Sequence, residues 1–281
     1  MRCLVFPGQG VQRPGMGAEL FDLFPEEVEA ADAVLGHSVR ELCLHDPEGR
    51  LGDTRYAQPA VFLVNALDAR RRLAEEGDGA EPVGCYAGHS LGEYNALVAA
   101  GCLGLLDALR LVRARAEAMA TVRGGAMAAV AGIGGDRVAA ALREARVRNV
   151  YVANRNSDRQ TVVAGGRDEL AGAAAVLRAA GARAVVPLPV SGPFHTPLMA
   201  PAARAFAAAL RGQAFAAPAV PVFSGVTAAP FEPDRAAALL AAQITAPVEW
   251  VRTVRALRAA GVTRFDEANG STLTALLPAI A

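Results

Sequence analysis

Short apolar runs alternate along the chain with longer stretches of helical spacing. Cys3 to Phe6 is a run of strand length, closed by the turn Pro7-Gly8-Gln9-Gly10. Apolar residues recur every three or four positions over Glu26 to Leu35 and Pro59 to Glu75, which predicts two helices. A second short strand, Val83 to Gly88, runs into Ser90 and a helical segment from Glu93 to Ala99, followed by another from Leu105 to Met119. Strands separated by helices predict a parallel α/β sheet.

Between about Arg123 and Leu188 the rhythm changes. Strand-like Gly125 to Ile133, helical Asp136 to Ala145 and strand-like Val150 to Asn154 come first. Strand-like Thr161 to Ala164, helical Arg167 to Ala180 and strand-like Ala184 to Leu188 follow. The order β-α-β-β-α-β is the split, ferredoxin-like pattern. It predicts a small subdomain, residues 123–188, inserted into a larger one formed by 1–122 and 189–281. The larger part resumes with helical Pro201 to Leu210, a strand at Val220 to Ser224, helices at Pro233 to Ala242 and Glu249 to Ala260, and a last strand at Arg264 to Glu267.

Composition narrows the chemistry. The 281 residues are 53% hydrophobic, enough to bury a real core, and 28 basic residues balance 28 acidic ones, so no overall field points to nucleic acid. Every basic residue is arginine. Without lysine the chain can supply neither a P-loop lysine nor a Schiff base to pyridoxal phosphate. Cys3, Cys43, Cys85 and Cys102 form no CxxC pair and have no zinc-finger partner, so they read as reduced core residues of a cytoplasmic protein, with no metal site. The charge-free stretch Gln213 to Phe231 is broken by Pro218, Pro221, Gly225 and Pro230 and cannot be a membrane helix. A soluble protein is expected.

Gly88-His89-Ser90-Leu91-Gly92 matches G-x-S-x-G, a sharp strand-to-helix turn that pushes a serine hydroxyl out at the end of a strand. An apolar strand before it and a helix after it are the required context; a plain capping serine is the bland alternative. A serine needs a base to become a nucleophile at neutral pH. Of four histidines, His37 and His45 lie in a polar, turn-rich stretch that reads as solvent-exposed. His89 adjoins Ser90 and should point away, against the elbow or a neighbouring loop. His195, in a proline-bracketed loop, remains as the partner of Ser90 by elimination. The N–H of Leu91 is placed to stabilise an oxyanion, and a second donor can come from the Pro7–Gly10 turn, because strand carboxyl ends line one crevice. Arg115, on the helix after the elbow, is either part of a solvated, ion-paired face with Arg110, Arg113 and Glu117, or a bidentate clamp for a substrate carboxylate.

Together these residues resemble the malonyl-CoA:acyl-carrier-protein transacylases and the related acyltransferases of polyketide synthases. The matching pieces are Phe6-Pro7-Gly8-Gln9-Gly10, Gln58-Pro59-Ala60, Gly88 to Tyr94, Arg115 with Met119, Gly125 to Ala129, Asn156-Ser157 and Phe194-His195. They occur in family order and cover nearly the whole chain. The length and the stretch Phe21 to Leu51 are most similar to the discrete, trans-acting acyltransferases of polyketide assembly lines.

The resemblance implies a hydrolase-like α/β subdomain carrying a ferredoxin-like one, with the active site between them. It implies Ser90 as nucleophile, His195 as base oriented by a main-chain carbonyl near Gln243, and Gln9 and Leu91 as oxyanion donors. Arg115 would hold the malonyl carboxylate, with Gln58 and Phe194 beside the substrate. The implied reaction is ping-pong transfer of malonyl from malonyl-CoA to the phosphopantetheine thiol of an acyl carrier protein through a malonyl-serine ester, with no metal or organic cofactor. Nothing in it demands more than a monomer. Phe194 before the histidine goes with malonyl rather than methylmalonyl, a discrimination of about 1–3 kcal/mol for one methyl group.

Two places depart from the family pattern. Gly192-Pro193 is not the usual malonyl signature. Glu267-Ala268-Asn269-Gly270-Ser271 stands where a Glu-Val-Gly-Pro-Gly-like turn is usual, although Asn accepts left-handed backbone. Three further readings compete: a hydrolase on the same scaffold, a transacylase of fatty-acid synthesis, and a catalytically dead module that docks carrier proteins. The intact Gln9, Ser90, Arg115 and His195 set speaks for transfer.

Overall fold

The computed structural model describes residues 1–77 and 79–281. Its elements in chain order begin with β1 (Arg2–Phe6), α1 (Ala18–Leu23), α2 (Pro25–Leu35), α3 (Val39–Leu44), α4 (Thr54–Glu75), β2 (Val83–Gly88), α5 (Gly92–Ala99) and α6 (Leu105–Ala120). Next come β3 (Gly125–Ala131), α7 (Gly135–Glu144), β4 (Val150–Ser157), β5 (Gln160–Gly166), α8 (Arg167–Ala179) and β6 (Ala184–Pro187). The chain ends with α9 (Ala200–Ala209), β7 (Val222–Phe223), α10 (Ala236–Gln243), α11 (Trp250–Ala259) and β8 (Arg264–Glu267).

The strands form two sheets. One is parallel, in the order β7-β2-β1-β8, and the other is antiparallel, in the order β4-β5-β3-β6. The central strands of the parallel sheet are apolar throughout because both faces are covered. Leu4, Phe6 and Tyr86 face a large core shared with α2, α4, α5, α6 and α9. Cys3, Val5, Cys85 and Ala87 face a second core under α11, centred on Trp250. All four cysteines are buried, as small core residues should be. The antiparallel sheet packs Ala128, Val130, Val150 and Val163 against α7 and α8 in a core of its own.

The two sheets are joined through β4. Beyond its pairing with β5, Arg155 N–H donates to Val248 O at 2.9 Å and Val248 N–H donates to Ala153 O at 2.8 Å. β4 runs three residues past the predicted stop at Asn154 because Arg155 and Ser157 still pair with Thr161 and Gln160 of β5. Helix α4 likewise starts at Thr54 rather than Pro59, because the Asp53 carboxylate accepts from Arg55 N–H and caps it; Pro59 sits inside the helix. The short helix α3 lies in the stretch around His37 and His45 that reads as turn-rich. His45 there is exposed, but His37 is half-buried, its ring edge-on to Tyr56 with centroids 5.2 Å apart. Among the described residues no helix is long and apolar enough to cross a membrane.

Candidate active site

The elbow is as sharp as its sequence requires. Ser90 holds φ 53°, in the left-handed region, so its hydroxyl leaves the line of β2. A Cβ on Gly92 would lie 2.0 Å from Phe6 O, and one on Gly88 2.0 Å from the Gly92 carbonyl carbon, so the turn closes only around glycine. His89 N–H donates to Phe6 O at 2.9 Å, which fixes the elbow against the end of β1. The His89 ring points away from the hydroxyl, as expected. Its partner is a strand rather than a loop: Nε2–H donates to Asn156 Oδ1 on β4 at 3.0 Å.

Ser90 and His195 meet. Ser90 Oγ lies 2.7 Å from His195 Nε2, and His195 Nδ1 lies 2.8 Å from the main-chain oxygen of Gln243. A carbonyl oxygen can only accept, so Nδ1 carries the proton and Nε2 is left to accept from the serine hydroxyl. His195 also holds positive φ, 60°, at the turn that brings it in. Burial above all, and then the Arg115 charge, depress its pKa to about 3, so the imidazole is neutral across the physiological range.

Arg115 is 1% exposed and does not belong to the solvated face. Its Nη1–H donates to Gln58 Oε1 at 2.7 Å, and Nη2 donates to Ser90 Oγ and Gln243 Oε1, each at 2.9 Å. The Tyr94 ring lies under the guanidinium, 5.7 Å from its carbon. Every hydrogen-bond partner of this buried cation is neutral. A legible signal existed: Arg115 continues the stripe of buried positions Ala108, Leu111, Val112 and Met119 on α6.

The Leu91 and Gln9 N–H groups, at the start of α5 and in the turn after β1, are not engaged in any hydrogen bond among the described residues. The Gln9 side chain is tied back, its Nε2–H to Thr54 Oγ1 at 3.2 Å and its Oε1 accepting from Gln58 Nε2 at 3.4 Å. Phe194 is buried beside His195. The unusual Gly192 lies against its ring, where a Cβ would approach Cε1 to 2.4 Å. In the unusual turn Asn269 adopts φ 54°, its N–H donates to Asp68 Oδ2 at 2.7 Å and its Nδ2 to Asn65 Oδ1 at 3.1 Å. Asn65 in turn donates to Pro7 O at 3.0 Å, next to Gln9.

One residue of the site escaped the sequence reading except as part of the elbow motif. Glu93 is 1% exposed, and its Oε2 accepts from Gln243 Nε2 at 2.7 Å and from Gly225 N at 3.2 Å. Desolvation pushes it up to about 7. A carboxylate three positions after Ser90, in a segment otherwise apolar enough for a core helix, was the available signal.

The model for the acyl transferase domain matches residues 3–269. The chain belongs to this acyltransferase family. It is 40% identical over 275 residues to the polyketide biosynthesis malonyl CoA-acyl carrier protein transacylase PksC of Bacillus subtilis, covering 97% of this chain and 94% of that protein. It is 44% identical over 278 residues to the polyketide biosynthesis protein ThaF of Burkholderia thailandensis, covering 99% of this chain but only 24% of that much longer one. Among solved acyltransferases, the malonyl CoA-acyl carrier protein transacylase of Burkholderia pseudomallei superposes with a TM-score of 0.94 at 41% identity, covering 100% of this chain and 97% of that one.

Proposed function

We propose that this acyltransferase moves malonyl from malonyl-CoA to the phosphopantetheine thiol of an acyl carrier protein, in the service of polyketide synthesis. The observation that carries the reading is a buried guanidinium with only neutral partners, donating to the hydroxyl of an activated serine. A cation so placed has an unmet demand for a carboxylate, and malonyl brings one two bonds from its thioester carbon. The transacylase PksC and the polyketide context of the relatives support the same substrate and partner.

In the proposed cycle His195 takes the Ser90 proton as Oγ attacks the thioester carbon. The imidazolium formed keeps its Nδ1–H on the Gln243 carbonyl. The Leu91 and Gln9 amides receive the tetrahedral oxyanion. Collapse expels the coenzyme A thiolate, which takes the proton from His195 and leaves malonyl-Ser90. The carrier thiol then runs the sequence in reverse. The proposed cycle uses no metal and no bound organic cofactor, and a single chain supplies all of its groups.

The Arg115 charge contributes selectivity of a second kind. It depresses the basicity of His195. A malonyl carboxylate on the guanidinium cancels that field, so the base strengthens when the correct diacid is in place.

Incubation with malonyl-CoA should add one malonyl group to the intact protein, read by mass, and Ser90→Ala should add none. Arg115→Ala should lower malonyl acylation by about a hundredfold, the worth of a buried bidentate pair, while acetyl acylation from acetyl-CoA holds or rises. Equal loss with both thioesters would remove the clamp from the mechanism. Labelled malonyl should appear on the carrier faster than as free malonate; the reverse would make the protein a hydrolase.

A further inference from the structure

The Gln243 side chain stands at the crossing of the site. Its Oε1 accepts from Arg115 Nη2 at 2.9 Å, and its Nε2–H donates both to Ser90 O at 3.1 Å and to Glu93 Oε2 at 2.7 Å. A side-chain amide reads differently from its two ends, and a wrong rotamer would set N–H groups against the guanidinium. Arg115 can only donate, and the Glu93 oxygen that faces the amide accepts. Between them the amide has one satisfactory orientation.

The same glutamine presents its main-chain oxygen to His195. Motion of Gln243 therefore reaches clamp, nucleophile turn and base together. Glu93 is anchored in its turn by Gly225 N–H, on the segment after β7, so it joins α5, α10 and that segment. Its other oxygen, Oε1, is buried without a partner. A buried acid left half-satisfied is costly. A leucine would fill the space and a glutamine would accept the same two hydrogen bonds, so the carboxyl calls for a role.

We propose that Glu93 is a positioning residue for carboxylate-bearing substrates: through the Gln243 amide it holds the Arg115 guanidinium in the orientation that receives the malonyl carboxylate. Above about pH 7, where it is ionised, it also places a negative charge one amide away from the guanidinium. The charged and titratable groups facing Glu93 are Arg115 from α6 and Tyr94 on its own helix; α10 and the segment after β7 contribute the neutral Gln243, Ser224 and Gly225. This inference rests on the malonyl-transfer reading and goes beyond it by naming what orients the clamp.

The test compares Glu93→Leu, Glu93→Gln and wild type for acylation of Ser90 by malonyl-CoA and by acetyl-CoA, with folding followed by thermal melting. Glu93→Leu should lower the malonyl-to-acetyl ratio by about tenfold or more, the worth of a charge-assisted hydrogen bond. Glu93→Gln keeps an acceptor for Gln243 and should restore most of the ratio. In wild type the ratio should rise modestly as Glu93 ionises between about pH 6 and pH 8, by the share that Glu93→Gln does not restore, and in Glu93→Gln it should be flat.

A folded Glu93→Leu enzyme with the wild-type ratio overturns the proposal, even if its overall rate is lower, because that is what a structural role alone would give. If Glu93→Leu does not fold, the pH comparison decides: parallel pH profiles in wild type and Glu93→Gln overturn it. A wild type acylated by neither thioester would instead defeat malonyl transfer itself, and this inference with it.

Discussion

At the scale of single residues, two buried titratable groups pull the stability of the protein in opposite directions with pH. Glu93 is raised from 4.5 to about 7, so the folded state holds its proton more tightly than the unfolded chain. That stabilisation is complete below 4.5 and is lost as pH rises through about 7. His195 is lowered from 6.5 to about 3, so the unfolded chain binds its proton first and stability is lost as pH falls below 6.5. Between these limits the two nearly cancel.

Glu93→Gln should separate them. Relative to wild type, its melting temperature should rise as pH increases from about 5 to 9, approaching a gain of roughly 3 kcal/mol from two to three units of relieved shift. Its own stability should fall below about pH 6.5, where His195 is no longer opposed. A constant difference between the two proteins across that range would show that Glu93 does not titrate as its burial implies.

At the scale of elements, the site is assembled from strand ends and the turns that follow them. The turns after β1 and β8 are tied to α4 by its buried polar residues: Asn65 reaches Pro7, and Asn65 and Asp68 hold Asn269. Burial alone would push Asp68 up; hydrogen bonds from Asn269, Arg71 and Arg72 outweigh it and hold the carboxyl below its ordinary range. Asn269→Ala removes the bond to Asn65 and puts a Cβ residue without a local hydrogen bond at φ 54°. It should cost about 1–2 kcal/mol by denaturant unfolding, with acylation slowed through the loosened Pro7–Gln9 turn. Asn269→Gly should recover part of the stability, since glycine accepts that backbone freely. If alanine and glycine behave alike, backbone conformation is not what the position selects.

At the scale of the whole molecule, the antiparallel sheet closes over the elbow along a broad seam: Met127, Ala153, Val162 and Ala164 pack into the large core, and Arg155 and Asp158 pair with Glu249 and Arg255. His89 reaches Asn156, and β4 is pinned to Val248 by two main-chain bonds. An acyl-enzyme survives to meet a carrier only if water is kept away from the ester. Asn156→Ala removes the side-chain tie and should speed hydrolysis of malonyl-Ser90 several-fold, read as malonate release without carrier, while the first acylation changes little. A malonyl-enzyme of unchanged lifetime would assign exclusion of water to other contacts.

The chain by itself determined the elements with a local cause. Apolar runs buried on both faces gave the central strands of the parallel sheet, and the β-α-β-β-α-β rhythm gave the antiparallel one. The glycines of the elbow and the isolated Ser90 and His195 were likewise legible, because a nucleophile turn constrains five neighbouring residues and the histidines are few. Tertiary structure decided what depends on partners distant in sequence. It bonded β4 to Val248, which no local pattern shows. It chose between the two faces open to Arg115, whose sequence surroundings allowed either. Above all it fixed the chain of polarity from Glu93 through Gln243 to Arg115, residues up to 150 positions apart. The orientation of a buried amide is set by what donates and what accepts on either side of it, and only folding brings those groups together.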